Sequence, residues 1–292
     1  MKSLLEKIKN GEILLGDGAL GTLLLEKELK PGDCPEALNL SHPGILAEIA
    51  REYLAAGADL IQTNTFGASP MKLADFGLDA LCEEINREAV AILKDVVQGG
   101  AYISASCGPS GKLLKPYGDM AAEILDEGYE RQISALARAG ADVICIETMM
   151  DLEEAKIALH AAKKTTTLPV MVTMTFQQTP RGFYTMMGNG IAEVARVLEE
   201  AGADLAGSNC GNGIEKMILI AKEFKAATRL PLIIQANAGL PDLSSGKAIY
   251  PETPELFAEK TKELIGAGVS IIGGCCGTTP AHIQAMRRTI VT

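Results

Sequence analysis

Three cysteines carry the chemistry this sequence could do. Cys275 and Cys276 are adjacent in Gly273-Gly274-Cys275-Cys276-Gly277-Thr278-Thr279-Pro280, and Cys210 lies upstream in Gly207-Ser208-Asn209-Cys210-Gly211-Asn212-Gly213. In both stretches an apolar run reads as a buried strand before the cysteine, and a helical pattern follows it. Pro280 stands where the first turn of a helix accepts proline. Three thiols at strand ends, with no fourth cysteine similarly placed, point to a zinc site with three protein ligands. A closed structural site would use four, whereas three leave a position for water or substrate. Two plainer readings stand beside this one. A disulfide between neighbouring cysteines is strained and belongs to an oxidising compartment, which nothing else in the chain signals. Ordinary packing suits a lone cysteine, but glycine flanks supply no packing and instead let backbone approach a ligand closely.

The elements that must position these thiols are marked by a repeat. Ala56-Gly57-Ala58-Asp59 recurs as Ala139-Gly140-Ala141-Asp142 and Ala201-Gly202-Ala203-Asp204, and degenerates to Ala267-Gly268-Val269-Ser270. Each copy ends an amphipathic helical pattern and opens a strand, and successive copies lie about two βα units apart. A second strand is therefore expected between them, and Ala101–Ser104, Pro169–Thr173 and Pro231–Gln235 supply it. With Ile13–Asp17 in front the count is eight. Helical patterns follow over 43–57, 80–97, 121–139, 151–164, 190–201, 214–227, 254–266 and 280–290. The expectation is an α/β fold, a single (β/α)8 TIM barrel forming one domain over residues 1–292. A doubly wound open sheet would usually carry a glycine-rich phosphate turn after its first strand, and no G-x-G-x-x-G stands there.

A barrel makes a statement about the site, because active sites of this fold lie at the C-terminal ends of the strands. Aligning the repeats puts Asn64, Glu147, Asn209 and Cys275 in one column, and Thr65, Thr148, Cys210 and Cys276 in the next. The thiols thus come from the sixth and eighth strands, within reach of one metal. The odd strands end in Asp17-Gly18-Ala19, in Ser106-Cys107-Gly108 and in Asn237-Ala238-Gly239. Asp17 and Glu147 read as functional, since a carboxylate is costly to bury unpaired. Cys34, Cys82 and Cys145 read as packing, and Cys107 lies nearer the mouth. His42, His160 and His282 fall on helices or loops, so none is expected to be a ligand or general base. Met186 and Met187 are expected to pack.

The bulk numbers narrow the class. The chain has 292 residues, 47% of them hydrophobic, enough for a sizeable core. A net charge of −10 argues against nucleic acid and anionic membranes. No apolar run approaches the roughly 20 residues of a membrane span. The start of the chain lacks the apolar core of a signal peptide, and seven cysteines fit a reducing, cytoplasmic setting.

With these residues in hand, the sequence resembles the zinc-dependent homocysteine S-methyltransferases over essentially its whole length. The matching segments are DGALGT at 17–22, QTNTFGAS at 62–69, ET at 147–148, SNCGNG at 208–213, NAGLP at 237–241 and GGCCGTTP at 273–280. GPSGKLLKPYG at 108–118 and YPETPELFAEK at 250–260 look more like the homocysteine domain of cobalamin-dependent methionine synthase than the S-methylmethionine-using or betaine-using branches. The resemblance implies that Cys210, Cys275 and Cys276 bind Zn2+ and carry catalysis. It further implies that Asp17 and Glu147 hold the homocysteine ammonium, with Gly18 and Ala19 near its carboxylate; Asn237 is counted with this substrate-binding set. The large methionine synthases continue into folate, cobalamin and reactivation domains, while this sequence ends at residue 292. The expected partners are therefore a separate corrinoid protein bringing methylcobalamin, and a folate or other methyl-donor module. Direct use of S-methylmethionine or S-adenosylmethionine is the alternative. A free thiol is mostly protonated at pH 7, and coordination removes that proton, so no side chain need act as base. Two rivals differ in class. A zinc-storage or redox-sensing protein would not need Asp17 and Glu147 at the site, and a phosphate-binding aldolase would want a strand-end lysine.

Overall fold

The repeated glycine is the joint between a helix and the strand that follows. In a computed structural model, which describes residues 2–27, 29–30, 32–242 and 248–291, it has the same conformation four times. Gly57, Gly140, Gly202 and Gly268 all have φ between +80° and +100°, the left-handed turn in which glycine ends a helix. The aspartate two residues on then grips the neighbouring strand. Oδ2 of Asp59, Asp142 and Asp204 accepts the backbone N–H of Leu15, Ile103 and Val170, each at 2.8 Å. Ser270 stands at this place in the fourth copy.

The strands so tied are β1 (Leu14–Leu15), β2 (Leu60–Gln62), β3 (Tyr102–Cys107), β4 (Val143–Met149), β5 (Val170–Met174), β6 (Leu205–Asn209), β7 (Leu232–Ala236) and β8 (Val269–Gly274). All pair in parallel, in the order β1-β8-β7-β6-β5-β4-β3-β2. A parallel bridge between Gly16 and Leu60 joins β1 to β2 and closes the ring. This is the expected TIM barrel, with β1 and β2 shorter than the sequence suggests and β3 longer. The first and last residues of the expected domain, 1 and 292, lie outside the described residues.

Side chains alternate across the wall, as a strand requires. Leu14, Leu60, Val143, Met171, Ile233 and Ile271 point inward and meet Leu4 of a short helix, Leu4–Lys9. Ser3 and Glu6 cap that helix reciprocally, and its apolar face closes the N-terminal end of the barrel. Leu15, Ile61, Ile103, Ile144 and Ile146 point outward to the helices. Cys34, Cys82 and Cys145 are buried, as expected. Cys107 packs outward in the mantle and is fully buried, so it does not border the mouth.

Several elements escaped the sequence reading, among them the helices Leu4–Lys9 and Leu20–Lys27 and an antiparallel hairpin of Gln177–Thr179 and Gly182–Tyr184 after β5. The hairpin holds Met186 and Met187 on the outside of the turn that follows, 57% and 37% exposed, which corrects the expectation that they pack. Among the described residues no helix is long and apolar enough to cross a membrane.

Candidate active site

The ends of β6 and β8 bring the three thiols together. The Sγ atoms of Cys210, Cys275 and Cys276 lie within 4.8 Å of one another, and those of Cys210 and Cys276 are 3.9 Å apart. All three cysteines are free and partly buried. Local backbone makes the meeting possible. Cys210 has φ +60°, a left-handed conformation costly outside glycine, and Gly211 follows at +73°. The Cys275-Cys276 loop is stitched to the end of β7, with Cys275 N–H donating to Ala236 O at 2.7 Å and Ala238 N–H to Cys276 O at 2.9 Å. Gly277 must be glycine: a Cβ there would fall 2.0 Å from the Tyr250 ring.

The cluster is electrically poised. Interaction with Cys275 and then Cys276 holds the Cys210 thiol well below the ordinary range, with the Asn237 side chain adding a weaker contribution in the same direction. The same interaction, with burial, pushes Cys275 and Cys276 up. Three sulfurs this close form a donor set suited to a thiophilic cation.

The thiols border a cavity of about 320 Å³, also lined by the turn from Gly18 to Thr22, Gln62, Ser106 and Glu147. Neither lysine nor arginine is among its described lining residues. Glu147, 5% exposed, is an inward residue of β4. Its Oε1 accepts from Gln62 Nε2 at 3.1 Å and from the Ser106 hydroxyl. Burial raises its pKa despite these donors. Asp17 follows β1 and is buried beside the cavity without lining it. Its Oδ2 accepts Gln62 N–H at 2.8 Å, while Oδ1 has no partner. Burial and then the charge of Glu147 push it to about 7, opposed by the Gln62 bond. Asn237 is likewise buried outside the lining, with Oδ1 unpartnered.

The turn after β1 is joined to the cysteine loop. A Cβ on Gly18 would fall 2.7 Å from Thr278 Oγ1 and 2.9 Å from the Tyr53 hydroxyl, so only glycine fits. Ala19 N–H donates to Thr278 Oγ1 at 3.1 Å, and Gly277 N–H donates to Thr22 Oγ1 at 3.2 Å. Residues 108–118 and 178–190 contribute nothing to the described lining. Sequence reasoning passed over Gln62, Ser106 and Gln235 as site residues. It aligned Asn209 with Glu147 but gave it no role, although that shared column was the signal. His282 is no ligand: it caps the helix Pro280–Ile290 through Thr279 and bonds Glu252 O at 3.0 Å.

A closed parallel barrel carrying thiols and a buried carboxyl at its mouth defines a barrel enzyme. The sequence profile described as homocysteine S-methyltransferase matches residues 14–290, and the chain belongs to that family of methyltransferases. It is 32% identical to the methionine synthase of Mycobacterium leprae (strain TN) and 31% to that of Mycobacterium tuberculosis (strain ATCC 25618 / H37Rv). Each match covers 95% of this chain and 24% of the relative, so the chain spans about a quarter of the length of these relatives. The metallated crystal structure of the homocysteine methyltransferase MmuM from Escherichia coli superposes with a TM-score of 0.81 over 97% of this chain and 98% of that one. At 22% identity that likeness speaks for the fold alone.

Proposed function

We propose that the chain transfers a methyl group to the sulfur of homocysteine, giving methionine, with zinc held by Cys210, Cys275 and Cys276. The observation that carries this reading is the thiol cluster bordering the same cavity as the buried carboxyl of Glu147. The donor set fits zinc. Two sulfurs about 2.3 Å from one tetrahedral zinc stand about 3.8 Å apart, and Cys210 and Cys276 are separated by 3.9 Å. Bound there, zinc would let the substrate sulfur enter as a thiolate at neutral pH.

The chain's own residues do the rest by positioning. Glu147 meets the substrate ammonium and Asp17 lies buried close by, so that the ammonium's charge restores ionisation that burial suppresses in both. The substrate carboxylate faces the turn at Gly18 and Ala19, where helix Leu20–Lys27 begins and backbone N–H groups favour an anion. Asn237 offers a buried, unpartnered Oδ1 close to Cys210, at the sulfur end. The sulfur is thereby left facing outward for in-line attack on the methyl carbon.

For the donor we infer a methylcorrinoid carried on a protein and recharged from methyltetrahydrofolate or another methyl source. Apolar side chains exposed on loops after β2, β3 and β7 support a large, docked donor: Phe66 41%, Leu113 51%, Tyr117 76% and Leu240 60%. The test supplies zinc-loaded protein and homocysteine with a methylated corrinoid protein, with S-methylmethionine, or with S-adenosylmethionine, one at a time. Methionine should form rapidly only with the first. Rapid turnover with a small donor and none with the corrinoid protein would move the enzyme to the small-donor branch.

A further inference from the structure

Asn209, the last residue of β6, is fully buried, and both the oxygen and the nitrogen of its side chain are hydrogen-bonded. Its Oδ1 accepts Thr148 N–H at 2.7 Å and the Thr173 hydroxyl at 2.8 Å. With the oxygen so occupied, the amide has one orientation and Nδ2 must face the other way. One of its hydrogens goes to Thr148 Oγ1 at 2.7 Å. The other enters the gap between Glu147 Oε2, at 3.4 Å, and Cys275 Sγ, at 3.8 Å. A single carboxamide therefore touches the carboxylate of one half of the site and a thiol of the other.

It also sets the backbone between them. Thr148 has φ +59°, and the β4–β5 register shifts between Ile146 and Met149. The N–H and hydroxyl of this left-handed threonine are both held by Asn209, a two-point clamp immediately after Glu147. Left-handed threonine persists only where its surroundings enforce it.

We propose that Asn209 is a positioning residue that holds Glu147 and Cys275 at one separation, so that the ammonium end and the sulfur end of the substrate are bound by one rigid unit. The proposal rests on homocysteine as ligand and on the thiols as metal ligands. Asparagine alone serves: aspartate would keep both acceptor bonds but set a second negative charge against Glu147 and the thiol cluster.

The test measures zinc affinity by chelator competition and homocysteine affinity by calorimetry on zinc-loaded protein. Asn209→Asp should weaken both by about tenfold or more, since a hydrogen bond to a charged group is replaced by repulsion. Glu147→Gln alone should leave zinc affinity within about twofold of the parent. Adding Glu147→Gln to Asn209→Asp should recover most of the lost zinc affinity, because the new amide can donate to the new carboxylate. A merely structural asparagine would give no such recovery. Affinities within twofold for Asn209→Asp, or losses in the pair that simply multiply, overturn the proposal. Should Asn209→Asp fail to fold, Thr173→Val removes only the hydroxyl that orients the amide. It should weaken both ligands about threefold, and unchanged affinities would count against the proposal. A parent protein that binds zinc but not homocysteine sinks the functional reading instead, and the zinc measurements still decide on Asn209.

Discussion

Asp59 and Asp17 stand at opposite ends of neighbouring strands, and the barrel treats them oppositely. Asp59, at the start of β2, accepts Leu15 N–H at 2.8 Å and pairs with Arg287 while keeping a quarter of its side chain exposed. Asp17, just past the end of β1, is buried with one bond, leaves Oδ1 unpartnered, and is pushed to about 7. The same contrast runs round the ring. At the N-terminal end, repeated aspartates tie strand to strand and a capped helix seals an apolar interior. At the C-terminal end, Gln235 and Asn237 also carry unpartnered buried oxygens, and Thr148 and Cys210 are left-handed. One end is built for stability, and the other stores unsatisfied polarity for a ligand to complete.

The contrast breaks most sharply at the thiols. Cys210→Ser, Cys275→Ser or Cys276→Ser should each take zinc from one ion per chain to a small fraction and abolish turnover. Circular dichroism should show the barrel intact, because its core does not depend on the mouth. Any of the three retaining full zinc by elemental analysis would break the assignment.

Next comes Glu147, the carboxyl proposed to meet the ammonium. Glu147→Gln should lower homocysteine affinity by roughly ten- to a hundredfold, the worth of about 1.5–3 kcal/mol for a charged hydrogen bond. Zinc content should not change. A thiol without the amino group should lose little further, and equal losses for both thiols would give Glu147 another role.

At the other end the effect should fall on stability alone. Asp59→Ala removes the tie to Leu15 and the partner of Arg287, and should cost about 1–3 kcal/mol. For a chain of this size that is a fall in Tm of roughly 2–4 °C per kcal/mol. Homocysteine and zinc affinities should hold, and a loss of either would show that the two ends are not independent.

The smallest effect sharpens the comparison by its sign. Asp17 has its pKa raised from 3.8 to about 7, so the stability tied to its protonation is complete below pH 3.8 and is lost as pH rises through about 7. Asp17→Asn cannot ionise. Without ligand it should therefore melt above the parent at pH 8, by something on the order of 1 kcal/mol, while binding homocysteine more weakly. A variant less stable than the parent at pH 8 would mean that Asp17 is an anchor like Asp59.

The sequence by itself determined the architecture and the thiols. A left-handed glycine after a helix and an aspartate at a strand start are local requirements, so Gly57, Gly140 and Gly202 announce the same joint wherever they occur. Once the strands are counted, alternation puts Glu147 and Asn209 inside, and the common end of β6 and β8 brings three cysteines together. What only the tertiary structure decided depends on contacts between segments far apart in the chain. The hairpin after β5 has no strong period of its own, and Cys107 shows which side of the wall it takes only when the register is set. The aim of the Asn209 amide follows from Thr148 and Thr173, on two other strands, and the unpartnered oxygen of Asp17 from a Gln62 N–H that occupies its mate. Residue type states what a side chain can bond; only the packed barrel decides which of those bonds are made and which are left for a ligand.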